Sequence, residues 1–226
     1  MEPNVLVGLN CSLSPSPFSI ASVLYAQRRA KEQGISCTVR MSQQTISGYL
    51  MSNTFANEMA KNDTFTHLLL SCDDIWFPED TIIKLVNDDK DIVSGVYRRR
   101  GDDNAICAFL FPGDSLAKHI NEKDLAHVVY APGHSMLVKR EVIQKVYEAY
   151  PETEYKDQDG EVIRGIFMPF MHRGMLYLDD YAFCARATAC GFKCWIDFSV
   201  RLKHRWYVWL DVPDHADDAQ CVPENQ

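Results

Sequence analysis

The sequence has little positive charge and almost no concentrated run of it. Of its 226 residues, 23 are Lys or Arg and 31 are Asp or Glu, which gives a formal net charge of −8. Proteins that bind a nucleic-acid backbone need concentrated Lys and Arg, so we expect no nucleic-acid partner. The one basic run, at residues 98–100, is too short for a polymer groove but could bind one small anion.

Long hydrophobic runs are also missing. No apolar stretch approaches the roughly 20 residues that a membrane-spanning helix requires. The first apolar run, residues 5–9, has no basic region before it and no cleavage site after it. We therefore expect no transmembrane segment and a cytoplasmic location.

Paired cysteines are absent. The eight cysteines are scattered, and none forms a Cys-x-x-Cys pair or has a matching histidine spacing. This spacing argues against a zinc site, and a disulfide framework is not expected in a chain of this size without a secretory signal. We interpret most of the cysteines as small buried side chains in a reducing compartment. They lie at positions 11, 37, 72, 107, 184, 190, 194 and 221.

The composition fits one folded domain. Hydrophobic residues make up 46% of the chain and charged residues 24%, which is ordinary for a globular protein. A chain of this length suits a single α/β domain. We expect the domain to occupy residues 1–210 and an acidic, loose tail to follow at 211–226.

The first half of the sequence alternates strand-like and helical segments. This pattern is typical of βαβ units and predicts an α/β fold with a largely parallel sheet. The predicted strands are 4–9, 35–41, 66–72 and 91–97, and the predicted helices are 19–33, 46–61 and the segment from Pro78 to about Asn87.

The second half predicts a mixed layout. Apolar periods indicate helices at 139–150 and 178–190, and strand-like runs cover 105–111, 127–131, 135–138 and 193–197. Residues 151–174 are polar and rich in turn formers, so we expect a long loop there, and long loops in compact domains are often functional.

Two adjacent carboxylates end the apolar run at residues 66–72. Asp73 and Asp74 would lie at the carboxyl edge of a parallel sheet, where open α/β folds bind their ligands. A divalent ion held by such carboxylates can neutralise a leaving diphosphate. Alternatively, the two aspartates cap the helix that begins near Pro78. The residues alone leave both interpretations open.

Two motifs resemble one enzyme family. Residues 68–78, Leu-Leu-Leu-Ser-Cys-Asp-Asp-Ile-Trp-Phe-Pro, followed by Lys90-Asp-Ile-Val-Ser-Gly-Val-Tyr97, look like the nucleotide-sugar half of family-2-like GT-A glycosyltransferases. Residues 174–191 resemble the Glu-Asp-x-x-Phe-x-x-Arg stretch of the same enzymes. The resemblance extends from the first strand to Trp206 and includes small glycosyltransferases of large algal viruses.

The resemblance implies a Rossmann-like GT-A fold, with a mixed central sheet flanked by helices. The nucleotide-binding half would be about residues 1–100 and the acceptor half about 101–210. It also implies a soluble enzyme that acts in the cytoplasm, or in the host cytoplasm if a virus encodes it.

On the donor side, the resemblance implies roles for the first acidic pair. Asp74 matches the second aspartate of the family's Asp-x-Asp motif and is expected to bind Mn²⁺ or Mg²⁺. Asp73 would share the ion or bond the ribose. Cys72 replaces the motif's first aspartate, which puts a two-carboxylate chelate in doubt.

Three further residues are expected to contact the donor. Leu9 and Asn10 lie at the end of the first strand, where these folds hold the nucleoside with backbone groups, although ordinary turn residues have the same composition. Arg98, in the basic run after the strand at 91–97, is our choice for pairing with phosphate oxygens. The alternative is a solvated basic turn.

Asp180 matches the aspartate that acts as general base in inverting members of the family. A carboxylate there would take the proton of the acceptor hydroxyl as it attacks the anomeric carbon. Asp179 would position the acceptor or support the base. Helix capping is the alternative, because carboxylates are favourable at helix N-termini.

Two segments complete the expected site. His204 follows the last predicted strand, where many GT-A enzymes have a histidine ligand, and imidazole suits Mn²⁺ or similar ions. Gly133 and His134 match a glycine-containing turn that lines the acceptor side in related enzymes. A buried structural histidine and a tight turn are the respective alternatives.

The sequence thus predicts a metal-dependent hexosyltransferase. It would move a sugar from a nucleotide-diphosphate sugar, with UDP favoured, to a glycan hydroxyl, with inversion. One alternative is a nucleotidyltransferase, although residues 10–18 lack the basic, glycine-rich phosphate loop of that class. The other alternative is a non-catalytic carbohydrate-binding module.

Overall fold

Helices and strands alternate along most of the chain. The computed structural model describes residues 2–12, 15–43, 48–100, 105–157, 159–205 and 209–210. These residues form six α-helices: α1 (Pro17–Glu32), α2 (Gly48–Lys61), α3 (Thr81–Asn87), α4 (Leu116–Glu122), α5 (Arg140–Ala149) and α6 (Asp179–Ala189). Short 3₁₀ turns occupy Gly133–Ser135 and Pro151–Thr153.

The described strands of the first half are β1 (Asn4–Cys11), β2 (Ser36–Gln43), β3 (His67–Cys72), the two-residue β4 (Ile75–Trp76) and β5 (Ile92–Val96). The described strands of the second half are β6 (Leu125–Val128), β7 (Leu137–Lys139), β8 (Glu154–Lys156), β9 (Val162–Arg164), β10 (Phe170–His172), β11 (Met175–Tyr177), β12 (Cys194–Arg201), β13 (Lys203–Arg205) and β14 (Trp209–Leu210).

A seven-stranded mixed sheet forms the centre, in the order β2-β1-β3-β7-β5-β12-β6. Strand β1 pairs in parallel with β2 and β3, and β5 pairs in parallel with β12. Strand β7 lies antiparallel between β3 and β5, and β6 is an antiparallel edge strand. Because β7 is antiparallel to both of its neighbours, those neighbours are parallel to each other. The carboxyl ends of β1, β3, β5 and β12 therefore all lie at the same edge of the sheet.

Each face of the sheet has its own hydrophobic core. On one face, β1 and β3 contribute Leu6 and Leu68, which pack with α2, α5 and α6 through residues such as Phe55 and Phe183. On the other face, α1 and α3 cover alternate strand residues. Central strands that are buried on both faces have continuous runs of apolar residues. For this reason β1 and β3 could be predicted from the sequence.

The predicted fold class, α/β with a mixed central sheet flanked by helices, is confirmed. Two local predictions are wrong. The strand expected at 105–111 makes only the isolated bridges of Ile106 with Arg98 and Phe109 with Tyr130. The long loop expected at 151–174 contains β8, β9 and β10, because its polar residues form two small hairpins outside the main sheet.

Some expectations concern parts of the chain beyond this description. The acidic tail at 211–226 lies outside the described residues, and the division into a nucleotide half and an acceptor half stays a prediction. None of the helices among the described residues is long and apolar enough to cross a membrane.

Helix α4, which the sequence analysis missed, is fixed by a buried histidine. Both ring nitrogens of protonated His119 donate to carboxylates, Nδ1 to Asp124 at 2.8 Å and Nε2 to Asp114 at 2.7 Å. Burial alone would lower the pKa of His119, but hydrogen bonds to the two carboxylates and their charges raise it above its ordinary value. The same contact lowers the pKa of Asp114, against the opposing effect of burial.

We expect the stability contributed by His119 to depend on pH. A histidine whose pKa is raised by folding contributes stability that is fully present below its unfolded pKa of about 6.5 and is lost as the pH rises through its folded pKa. His119→Gln should therefore cost about 1–2 kcal/mol at about pH 6 and clearly less at about pH 9, as measured by urea unfolding. An equal cost at both pH values would contradict this assignment.

Candidate functional site

A cavity of about 430 Å³ opens at the carboxyl edge of the central sheet. Its wall is more polar than the cores on either side of the sheet and carries both predicted acidic pairs. The lining residues are Asn10, Cys11, Ser12, Gly48, Met51, Ser52, Leu70, Cys72, Asp73, Asp74, Arg100, Gly133, His134, Phe167, Asp179 and Asp180.

The sheet topology explains why residues so distant in sequence meet there. The ends of β1 and β3 deliver Asn10 and Asp73 to the same edge because the two strands are parallel. Strand β7 runs the other way, so the turn that precedes it, Gly133–Ser135, reaches that edge as well. Ser135 fixes the turn, since its hydroxyl accepts a hydrogen bond from the backbone N–H of Gly95 at 3.1 Å.

Asp73 organises the loop after β1. Its Oδ2 accepts hydrogen bonds from the Ser12 backbone N–H at 2.7 Å and from the Ser12 hydroxyl at 2.6 Å, and the side chain is buried. The capping alternative is wrong for the first acidic pair, because α3 begins at Thr81 and its N-cap residue is Asp80. Asp73 therefore couples the ends of β1 and β3.

Asp74 lies at the centre of a mixed polar cluster. The Cys72 thiol donates a hydrogen bond to its Oδ1, and the Arg100 guanidinium forms an ion pair with its Oδ2. Nε2 of His204 lies 3.5 Å from Oδ2. Strand β13 places His204 there by pairing with β4, where His204 is opposite Ile75, and the Arg205 N–H donates to the Asp74 carbonyl at 2.8 Å.

His204 has a defined tautomer. Its Nδ1 is 2.7 Å from the carbonyl oxygen of Arg98, which can only accept a hydrogen bond, so Nδ1 carries the proton. Burial lowers the pKa of His204, and the charge of Arg100 acts in the same direction. The hydrogen bond to the Arg98 carbonyl opposes this shift but does not cancel it. The neutral ring thus directs the Nε2 lone pair toward Asp74, and this buried atom has no hydrogen-bond partner.

His134 reaches the same cluster from the turn before β7. Its ring stacks on Tyr97 with centroids 5.7 Å apart and lies edge-on to His204 at 6.2 Å. Burial, with the nearby charge of His204 as the next cause, lowers the pKa of His134 to about 4. Its Nδ1 is also buried without a hydrogen-bond partner.

The cluster fits a divalent cation. Among the residues that the structure describes, Cys72, Asp74 and His134 form a group whose candidate ligand atoms all lie within 4.8 Å of one another. Two buried imidazole nitrogens with unshared lone pairs beside a carboxylate are costly without a positive charge between them. Arg100 supplies such a charge in this structure by pairing with Asp74.

The second acidic pair lines the same cavity and lies in the first turn of α6. Oδ2 of Asp180 accepts the Gly133 backbone N–H at 2.9 Å, and Oδ1 accepts the Tyr181 N–H at 2.9 Å. Burial, followed by the charge of Asp179, raises the pKa of Asp180 to about 7. Neither aspartate is the N-cap residue of α6, which is Leu178.

Position 133 requires glycine because a larger side chain would clash with Asp180, and not because of the backbone conformation. Gly133 has no positive φ. A Cβ built on it would lie 2.8 Å from Cβ and 3.3 Å from Oδ2 of Asp180. The tight-turn explanation of this glycine is therefore wrong, and the close approach of the turn to α6 is what holds the Asp180 carboxylate.

The Phe and Arg of the second motif build the cavity wall. Phe183 stacks on Phe167 at 4.4 Å, and Arg186 donates hydrogen bonds to the carbonyls of Ile166 and Met168 at 2.8 and 2.7 Å. Both contacts fix the segment 166–168, which brings Phe167 to the cavity. The motif positions thus have a structural role beside the aspartates.

Eight of the ten predicted site residues meet at or beside this cavity, and two do not. Leu9 is fully buried in the core, and Arg98 does not line the cavity, although its carbonyl holds His204. Sequence reasoning missed Arg100, which lines the cavity in place of Arg98. It also treated Cys72 only as a broken motif, although a thiol beside an aspartate was the available signal.

Asn10 also lines the cavity and keeps one open acceptor. Its Nδ2 donates to the Ser52 hydroxyl at 3.3 Å, while its buried Oδ1 has no hydrogen-bond partner. A buried unpaired acceptor on a cavity wall is available to a ligand donor.

No protein-family model and no curated protein sequence matches the chain. Solved structures do resemble it. The crystal structure of A197 from STIV is 10% identical, covers 97% of this chain and 100% of its own, and has a TM-score of 0.52. At this identity the likeness concerns the fold and does not assign a reaction.

Two glycosyltransferases are also among the similar structures. A Drosophila β1,4-galactosyltransferase 7 variant in complex with manganese, UDP-Gal and xylobiose is 11% identical over 98% of this chain and 77% of its own, with a TM-score of 0.45. A glycosyltransferase involved in glycosylation of the major capsid of PBCV-1 is 10% identical over 66% of this chain and 68% of its own, with a TM-score of 0.34.

The packing of the turn against α6 predicts a steric effect at position 133. Gly133→Ala should cost about 1–3 kcal/mol in the free energy of unfolding, because the added methyl group overpacks against Asp180. Gly48→Ala is the matched control in the same cavity, since the nearest atom to its added Cβ is Oδ2 of Asp179 at an ordinary 3.7 Å. Chemical denaturation of both variants measures the difference, and equal stabilities would refute the close approach.

Proposed function

We propose that the chain is a metal-dependent glycosyltransferase of the GT-A type. It transfers a sugar, with inversion, from a nucleotide-diphosphate sugar to a hydroxyl of a glycan acceptor, and a UDP-sugar is the favoured donor. The observation that carries the proposal is the convergence of two acidic pairs, Asp73–Asp74 and Asp179–Asp180, on the lining of one polar cavity. One pair suits the departing diphosphate and the other suits the attacking hydroxyl. The proposed place of action is the cytoplasm.

The donor side is built from the ends of β1, β3 and β5. Arg100 is the guanidinium that lines the cavity, and it is suited to pair with diphosphate oxygens. The open acceptor of Asn10 is suited to a nucleoside donor group, and Asp73 holds the loop that carries Ser12 beside it. A divalent ion held at Asp74, Mn²⁺ or Mg²⁺ by analogy with the family, would neutralise the charge that develops on the leaving diphosphate.

The acceptor side is built from α6 and the turn before β7. Asp180 takes the proton of the acceptor hydroxyl, and a carboxyl with a pKa of about 7 is well matched to this task at neutral pH. The Gly133 N–H holds one carboxylate oxygen and so orients the base. Asp179 contributes the negative charge that helps to raise the pKa of Asp180, and it lines the cavity where an acceptor would lie.

The diphosphate contact predicts a selective loss of nucleotide affinity. Calorimetric titration with UDP and with GDP, each with and without Mn²⁺, should detect metal-dependent binding of one nucleotide. Arg100→Gln should weaken that binding about 10- to 100-fold, because a hydrogen-bonded charge pair with phosphate is lost. Arg99→Gln, at the exposed neighbouring position, should change it little.

Absence of nucleotide binding in all four titrations would exclude the proposed function and favour a carbohydrate-binding module. Binding of UDP or GDP without hydrolysis or transfer from any nucleotide sugar, together with pyrophosphate release from a nucleoside triphosphate, would instead indicate a nucleotidyltransferase. The comparison of Arg99 with Arg100 separates a specific phosphate contact from a general effect of charge.

The raised pKa of Asp180 predicts the pH dependence of transfer. A general base acts when it is deprotonated, so kcat/KM should rise with pH through about 7 and level off above it. Asp180→Asn should lower kcat about 10²- to 10⁴-fold and leave nucleotide affinity unchanged. Donor hydrolysis or transfer measured from about pH 5 to about pH 9 provides the profile.

Asp179→Asn is the control for this profile. Removal of its charge should move the rising limb to lower pH, since that charge is the second cause of the raised pKa of Asp180. A limb that stays in place in Asp179→Asn, or a wild-type rate that falls as the pH rises through about 7, would contradict the assignment of Asp180 as base.

A further inference from the structure

Cys72 differs from the other buried cysteines in what its sulfur contacts. The thiols of Cys11, Cys37 and Cys184 face backbone carbonyls, those of Leu9, Ile35 and Ala131 respectively, and the thiol of Cys194 contacts Cys184 and Thr188. The thiol of Cys72 instead faces a carboxylate, that of Asp74, although Cys11 also lines the cavity. Its surroundings are therefore those of a polar site.

Two buried imidazole nitrogens without hydrogen-bond partners lie beside this cluster. His204 is 6% exposed, and its unpartnered Nε2 lies 3.5 Å from Oδ2 of Asp74. The backbone carbonyl of Arg98 fixes the opposite ring nitrogen, as a backbone carbonyl commonly does behind a metal-bound histidine. Nδ1 of His134 is the second unpartnered nitrogen, and its ring is held by Tyr97.

We propose that Cys72, Asp74 and His134, whose ligand atoms lie within 4.8 Å of one another, bind one divalent ion of the zinc class, and that His204, 3.5 Å from Asp74, shifts to become the fourth ligand. A thiolate, a carboxylate and two neutral imidazoles form an S/O/N₂ set, which suits Zn²⁺ or Co²⁺, whereas Mg²⁺ prefers oxygen ligands and an octahedral site. This ion would occupy the Asp74 site in place of the Mn²⁺ or Mg²⁺ expected there by analogy. Its role in sugar transfer rests on the proposed function, but its binding does not.

The ligands come from three separate elements, the end of β3, the turn before β7 and strand β13. This origin explains why the spacing of cysteines and histidines along the chain argued against zinc. The Cys72 proton, which Asp74 now receives in a hydrogen bond, would leave to solvent as the metal–sulfur bond forms. The ion would also replace the charge of Arg100 at Asp74, which frees that guanidinium for an anionic ligand.

Cobalt provides a direct test, because thiolate coordination gives a charge-transfer band in the near ultraviolet and a tetrahedral site gives strong visible bands. The metal-free full chain should be titrated with Co²⁺ under argon with a phosphine reductant. We expect both sets of bands at one equivalent, and their loss when Zn²⁺ is added. Binding without the charge-transfer band, or no binding, would overturn the proposal.

Matched variants assign the sulfur. Cys72→Ser should lose the charge-transfer band and at least about tenfold in Zn²⁺ affinity, whereas Cys190→Ser, at the end of α6 and away from the cavity, should retain both. Cys72→Asp should lose the band and gain affinity for Mn²⁺. Equal bands in wild type and Cys72→Ser would contradict the proposal.

A measurement on the wild type guards against variants that fail to fold. X-ray absorption of the chain loaded with one equivalent of Zn²⁺ should show one sulfur at about 2.3 Å and nitrogen or oxygen ligands at about 2.0–2.2 Å. A shell of nitrogen and oxygen alone would overturn the sulfur ligand. A sulfur shell in a chain that binds neither UDP nor GDP would uphold this metal site and refute the proposed function, so the two can fail separately.

Discussion

The reversed direction of β7 is the constraint on which the site depends. A strand inserted antiparallel between two parallel neighbours begins at the edge where those neighbours end. The turn before β7 therefore lies beside the ends of β3 and β5. This arrangement brings Gly133 against Asp180 and the His134 ring against Tyr97. A fully parallel sheet would place the same turn at the opposite edge and leave both acidic pairs without it.

Several charged side chains, four aspartates and one arginine, line the cavity. Asp180 is partly buried near Asp179, so its ionised form is held at a cost in stability, which its raised pKa expresses. Asp74 is compensated differently, by the guanidinium of Arg100 in this structure. Perturbed carboxylates and unpartnered imidazoles gathered in one cavity are typical of functional sites, where local stability is sacrificed for chemistry.

The small sheet of β4, β13 and β14 helps to build the site by positioning His204. The ladder of β4, β13 and β14 contains only short strands, but it carries His204 back to Asp74 after β12 has ended. The hairpins at β8–β9 and β10–β11 similarly replace what the polar sequence of 151–174 predicted as loop. Strands of two or three residues are too short to show a recognisable alternation of apolar and polar residues. Their formation also depends on pairing with partners that are distant in sequence.

The sequence by itself determined the central strands, the principal helices and the two acidic pairs, since continuous apolar runs and helical periods are local properties. It also placed Asp74, Asp180 and His204 in one expected site through motif resemblance. Only the tertiary structure selected Arg100 over Arg98, turned the Cys72 sulfur toward Asp74, and brought His134 to His204. The positions of these side chains depend on their orientation in the loops after each strand and on the antiparallel insertion of β7. Neither can be derived from the spacing of residues along the chain.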